Sequence, residues 1–148
     1  MFRIFSILLV AALFAAVSCK KKAKPVQDNI PYQTVNVTIY PNDPLYFKLG
    51  TVGGWVYIRG GVNGIIVYRK AQNSGADFVA IERTSTQLPD NSDAAVKVQS
   101  DNFTLKDTIS GSRWQIVDGT VISGPAQLPL RLYSAFYETG SGALIIRN

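Results

Sequence analysis

The sequence predicts an all-β domain, an antiparallel sandwich or small barrel of short strands, following a cleaved signal peptide. Three observations carry this reading. Apolar and polar residues alternate with a period of two, as where Val35, Val37 and Ile39 are interleaved with Asn36, Thr38 and Tyr40. Turn-forming groups punctuate such runs, among them Asn63-Gly64, Asp118-Gly119 and Gly140-Ser141-Gly142. After the leader, no helix-period pattern extends beyond a turn or two. A length of 148 residues suits one domain with a real core.

The elements follow in order. Met1-Phe2-Arg3 is a short positive start, and Ile4–Val17 is an apolar run too short to span a bilayer comfortably. Small residues precede Cys19, which gives the run a cleavage region. Lys20–Asn29 is charged and polar, contains Pro25, and reads as a tether. The first strand surrounds Val35–Ile39. Pro41–Pro44 is a turn, and Leu45–Leu49 is expected as the second strand. Trp55–Arg59 is β-branched or aromatic and forms the third. Asn63-Gly64 suits a type I′ turn into Ile65–Arg69. Ala71–Ala76 is a loop. Phe78–Glu82 is apolar on both faces, so it is expected at the centre of a sheet. Thr84–Asp93 is a polar loop. Ala94–Val98 and Asn102–Leu105 form a hairpin around Ser100-Asp101. A second hairpin pairs Arg113–Val117 with Thr120–Ile122 across Asp118-Gly119 as a two-residue turn. Pro129–Tyr137 is a long strand, and Ala143–Ile146 closes the sheet. Trp55 and Trp114 are expected as core aromatics.

Charge and residue usage remove whole classes of function. The net charge is +5, but Arg3, Lys20, Lys21, Lys22 and Lys24 supply the excess. From Pro25 onward, ten basic residues balance ten acidic ones. A nucleic-acid partner needs a basic face on the domain itself, and none is expected. The lysine run suits an anionic membrane surface. The chain has no histidine and one cysteine. Ser-His-Asp triads, Cys-His pairs, His-ligated metals and intramolecular disulfides are therefore excluded. No residue pair is specified well enough to be called a catalytic acid and base.

Ala16-Val17-Ser18-Cys19 resembles the lipobox of bacterial lipoproteins, with Ala16 where Leu is usual. The resemblance implies that Cys19 is the lipid-attachment residue and becomes the new N-terminus. The expected organisation is then a signal peptide over 1–18, a lipidated Cys and Lys-rich tether over 19–31, and the β domain over 32–148. In Gram-negative lipoproteins an Asp after the Cys marks inner-membrane retention. Lys20 stands there, so the resemblance implies the outer membrane. No acidic surface-export run follows, which favours the periplasmic face.

A second resemblance lies in the β domain. Asp107–Leu130 contains Gly111-Ser112, Trp114, Asp118-Gly119, Gly124-Pro125-Ala126 and Pro129-Leu130. This stretch resembles the second cluster-binding loop and the proline loop of Rieske iron–sulfur domains. That family ligates a [2Fe–2S] cluster with Cys-x-His in a first loop and Cys-x-x-His in a second. The corresponding positions here are Ser85 and Gln87, then Asp107 and Ser110. Gly111, Ser112, Gly124, Pro125 and Ala126 are retained beside them. The scaffold matches and all four ligands are replaced. Hydroxyl and amide oxygens are poor partners for sulfide-bridged iron. Calcium would need several carboxylates, and Asp107 is the one carboxylate among the four positions.

The resemblance thus implies a Rieske-like domain with no cluster, no metal and no other cofactor. The expected function is a non-enzymatic binding or structural module of the cell envelope. Its partners would be membrane lipid, through Cys19, and an envelope protein contacting the altered loops. The alternative is a Rieske-type electron carrier or oxygenase component, disfavoured by the missing Cys and His ligands.

Overall fold

A computed structural model describes residues 29–148. The expected signal peptide, Cys19 and the tether as far as residue 28 lie outside the described residues. Among those described, the chain is all-β apart from two short 3-10 segments. The strands are β1 (Asn36–Ile39), β2 (Trp55–Ile58), β3 (Ile65–Arg69), β4 (Phe78–Glu82), β5 (Lys97–Val98), β6 (Thr104–Lys106), β7 (Arg113–Gln115), β8 (Val121–Ser123), β9 (Leu132–Glu138) and β10 (Ala143–Arg147). They form two antiparallel sheets, ordered β1-β10-β9-β4-β3-β2 and β5-β6-β7-β8.

The larger sheet curls into a half-barrel. Its two edges, β1 and β2, face each other across a depression of about 400 Å³ lined by Val37, Ile39, Val56 and Ile58. Inside the curl lie Val35, Ile39, Leu49, Ile65, Val67, Phe78, Ala80, Tyr133, Leu144 and Ile146. The opposite faces of β3 and β4 pack on the small sheet, where Ile66, Tyr68, Val79 and Ile81 meet Leu105, Trp114 and Ile116. These two strands are therefore covered on both sides. This explains the continuous apolar reading of Phe78–Ile81, and all five residues of each strand are buried.

Several expected elements take a different form. Leu45–Leu49 is not a strand; Pro44–Gly50 is a 3-10 segment. Asp43 caps it by accepting a hydrogen bond from the Leu45 amide at 2.7 Å, and Pro44 has its φ preset for the first turn. Leu49 is its one buried residue, and it packs in the core of the half-barrel. Asn63-Gly64 is not a type I′ turn, because only Gly64 has positive φ. The Asn63 amide instead donates to the Glu82 carboxylate. Asp118-Gly119 is not a two-residue turn either. β7 ends at Gln115 and β8 begins at Val121, which leaves a five-residue connection over 116–120. Ile116 drops into the core with no exposure, and its amide bonds to the Phe103 carbonyl. Burial of Ile116 widens the turn. Asp118 then accepts from the Thr120 amide and hydroxyl. Ala94 belongs to a 3-10 turn, so the strand after it starts at Lys97. Trp114 is a core aromatic as expected, whereas Trp55 is only half-buried.

Gly119 keeps its positive φ of 72°, and a Cβ there would stand 3.1 Å from the Leu130 carbonyl oxygen. Gly119→Val combines left-handed strain with this close contact. It should cost more than about 1 kcal/mol. Urea denaturation checks this, and an unchanged midpoint would contradict the loop's geometry.

Candidate functional site

The site is assembled by three loops at one end of the β3–β4 pair. The first follows β4, the second joins β6 to β7, and the third joins β8 to β9. Ser85 comes from the first, Asp107, Ser110 and Ser112 from the second, and Ala126 from the third. Ser85, Asp107 and Ser112 have no solvent exposure. The structure thus brings together three of the four positions aligned with cluster ligands.

Asp107 is the hub. Its Oδ2 accepts from Ser110 Oγ at 2.6 Å and from Ser85 Oγ at 2.8 Å. Its Oδ1 accepts from the amides of Ile109 at 2.8 Å and Ser110 at 3.2 Å. A carboxylate offers about four lone-pair directions, so all are engaged. Ser110 Oγ and Ser112 Oγ lie 2.9 Å apart, and Ser112 Oγ accepts from the Ala126 amide at 3.1 Å. Each hydroxyl has one proton, and Ser110 gives its proton to Asp107. Ser112 must then donate to Ser110, and a directed chain runs from the Ala126 amide to the carboxylate. Gln87 contributes its backbone amide, 3.2 Å from Ser85 Oγ. Gly124 packs so closely that a Cβ there would lie 2.6 Å from Ser112 Cα. The third loop is pinned further at Leu128, whose carbonyl accepts from Trp114 Nε1 at 3.1 Å and Thr86 Oγ1 at 2.7 Å.

Burial pushes the Asp107 carboxyl up, but the Ser110 and Ser85 hydroxyls and the Ile109 and Ser110 amides outweigh it. The balance lies below the ordinary aspartate value. The ionised form is therefore the one the loops are built around.

Sequence reasoning passed over a second buried carboxylate. Glu82 has no exposure and ends β4. Its Oε2 accepts from the Val62 amide at 2.8 Å and the Tyr133 hydroxyl at 2.6 Å. Its Oε1 accepts from the amides of Asn63 at 3.0 Å and Thr84 at 2.9 Å, and from Thr84 Oγ1 at 2.8 Å. Burial raises this carboxyl as well, and the Tyr133, Asn63, Val62 and Thr84 donors bring it below its usual value. Burial and Glu82 together push the Tyr133 phenol well above the usual tyrosine range. The signal was present in the sequence: an acid ending an otherwise apolar strand must find donors.

The four ligand-aligned positions offer two hydroxyls, an amide and one saturated carboxylate. This donor set does not suit a [2Fe–2S] cluster, which needs thiolates and imidazoles. Among the described residues, no group of three or more His, Cys, Asp or Glu could hold a metal ion. A depression of about 700 Å³ lies elsewhere, lined by Phe47, Lys48, Val52 and Trp55. No protein-family model and no curated protein matches the chain.

Replacing Asp107 by Asn turns two acceptor directions into donors facing serine hydroxyls. Asp107→Asn should lower stability at neutral pH by about 1–3 kcal/mol. The folded pKa is depressed, so the carboxylate's contribution is present above the unfolded value, about 3.9, and is lost as pH falls through the folded one. The gap between wild type and variant should be full above about pH 5 and shrink progressively as pH falls below about 4 through the depressed folded value. Denaturation midpoints across that range check it; a gap independent of pH would contradict the hub.

Proposed function

We propose that the chain is an envelope lipoprotein, anchored in the outer membrane through acylated Cys19 and facing the periplasm. Its β domain would be a Rieske-like fold without a cluster, acting as a non-catalytic binding or structural module. The observation that carries this reading is the saturated oxygen network at the ligand-aligned positions. Ser85, Asp107 and Ser110 meet at hydrogen-bond distance where a cluster would require thiolates and imidazoles. The third loop closes over them through the Ser112–Ala126 bond, in keeping with the proline loop of the family that the sequence resembles. Ser85 and Ser112 have no solvent exposure, and the lowered pKa of Asp107 makes it a weak base toward the Ser110 hydroxyl.

Two measurements test this. Protein purified from its own envelope should contain no stoichiometric iron or acid-labile sulfide; a stoichiometric amount of both would establish the redox alternative. Cys19→Ser should abolish incorporation of labelled fatty acid and move the protein out of the outer-membrane fraction. Fractionation like the wild type would remove the anchor.

A further inference from the structure

The chain joins the β domain beside the three loops. Asn29 Nδ2 donates to the Thr86 carbonyl at 2.7 Å, in the first loop. Arg131, which follows the third loop, donates to the carbonyls of Pro31 and Ile30. Ile30 is itself buried. The chain then runs away along β1. Asn36 pairs with Arg147, which pairs with Ser134 near the start of β9, whereas Ile39 pairs with Leu144 further from the loops.

The loops expose an uncharged surface. Thr84–Pro89, Thr108–Ser112 and Ile122–Leu130 contain no ionisable acid or base. Asp107, between two of them, is buried. Arg83, Asp90, Lys106 and Arg113 border these segments, with Lys106 and Arg113 paired across β6 and β7. Arg83 donates to the Val96 carbonyl and Arg131 to the Ile30 and Pro31 carbonyls. Ile109 is 57% exposed in the second loop, and Tyr32 is 77% exposed next to the joining segment. A large aliphatic residue and a tyrosine on an uncharged rim suit the boundary between headgroups and acyl chains. Ten Cα steps separate Cys19 from Asn29, a reach of at most about 36 Å. Lys20, Lys21, Lys22 and Lys24 lie within that short span, where anionic headgroups attract them.

We infer that this end of the domain rests on the lipid surface, so that the altered loops meet membrane rather than a protein partner. The inference rests on the lipoprotein reading above. Its test uses full-length, natively acylated protein in phosphatidylethanolamine–phosphatidylglycerol vesicles carrying a spin-labelled quencher lipid. An environment-sensitive fluorophore is attached at Ile109→Cys or, as the distal control, at Gln72→Cys. Gln72 is exposed in the loop between β3 and β4, at the far end of those strands from Glu82. Acylation occupies the Cys19 sulfur, which leaves the new thiol as the single labelling site. The probe at 109 should be blue-shifted and quenched severalfold more than the probe at 72. Equal quenching, or stronger quenching at 72, overturns the orientation and leaves the anchor standing. A photocrosslinker at 109 in the intact envelope should yield lipid adducts, and adducts to a protein overturn the lipid assignment. A mature wild-type mass without acyl chains overturns the anchor and the orientation together.

Discussion

A carboxylate taken out of water must find its donors inside the protein, and two such groups organise this domain. Glu82 and Asp107 have no exposure, and an unpaired charge at either place would be severely destabilising. Glu82 draws in the segment between β2 and β3, the start of the first loop and Tyr133 of β9. Its pull is close enough that a Cβ on Gly61 would stand 2.1 Å from Oε2, which only glycine tolerates. Asp107 does the same for the second loop and reaches Ser85 in the first. Residues 82–85 thus tie one hub to the other, and through them the half-barrel to the small sheet.

The neutral donors in these hubs are mostly backbone amides and hydroxyls, which cannot lose their protons near neutral pH. Among the described residues the resolved shifts all lead away from neutrality: Asp77, Glu82, Asp101 and Asp107 move down and Tyr133 moves up. With no histidine in the chain, no imidazole is present to switch the charge of the domain near neutral pH.

Features with a period of their own were legible in the sequence. The alternation in β1, the doubly apolar β4 and the long β9 all announced strands, and β4 announced its central place. Features set by one side chain acting at a distance were not. Leu45–Leu49 has strand-like composition, but Asp43 and Pro44 start a 3-10 turn, and that capping signal outweighed propensity. The Asp118-Gly119 pair has the composition of a two-residue turn, yet burial of Ile116 lengthened it. At the site, motif alignment singled out Ser85, Asp107 and Ser110 together. It could not supply the direction of the hydrogen bonds, because that depends on which oxygen each proton reaches. Glu82 was missed because its donors come from segments twenty and fifty-one residues away.

The place where the chain joins the domain also fixes how the domain bears load. A pull arriving at Asn29 meets the Thr86 carbonyl and the Arg131 clamp first. Beyond them it is directed along β1, away from the loops and parallel to the strand axis. The antiparallel bonds from β1 to β10 are then stretched together rather than opened one at a time. Such a pull would load the four-residue β1–β10 pairing in shear, with its first resistance where Asn29 and the Arg131 clamp join the domain.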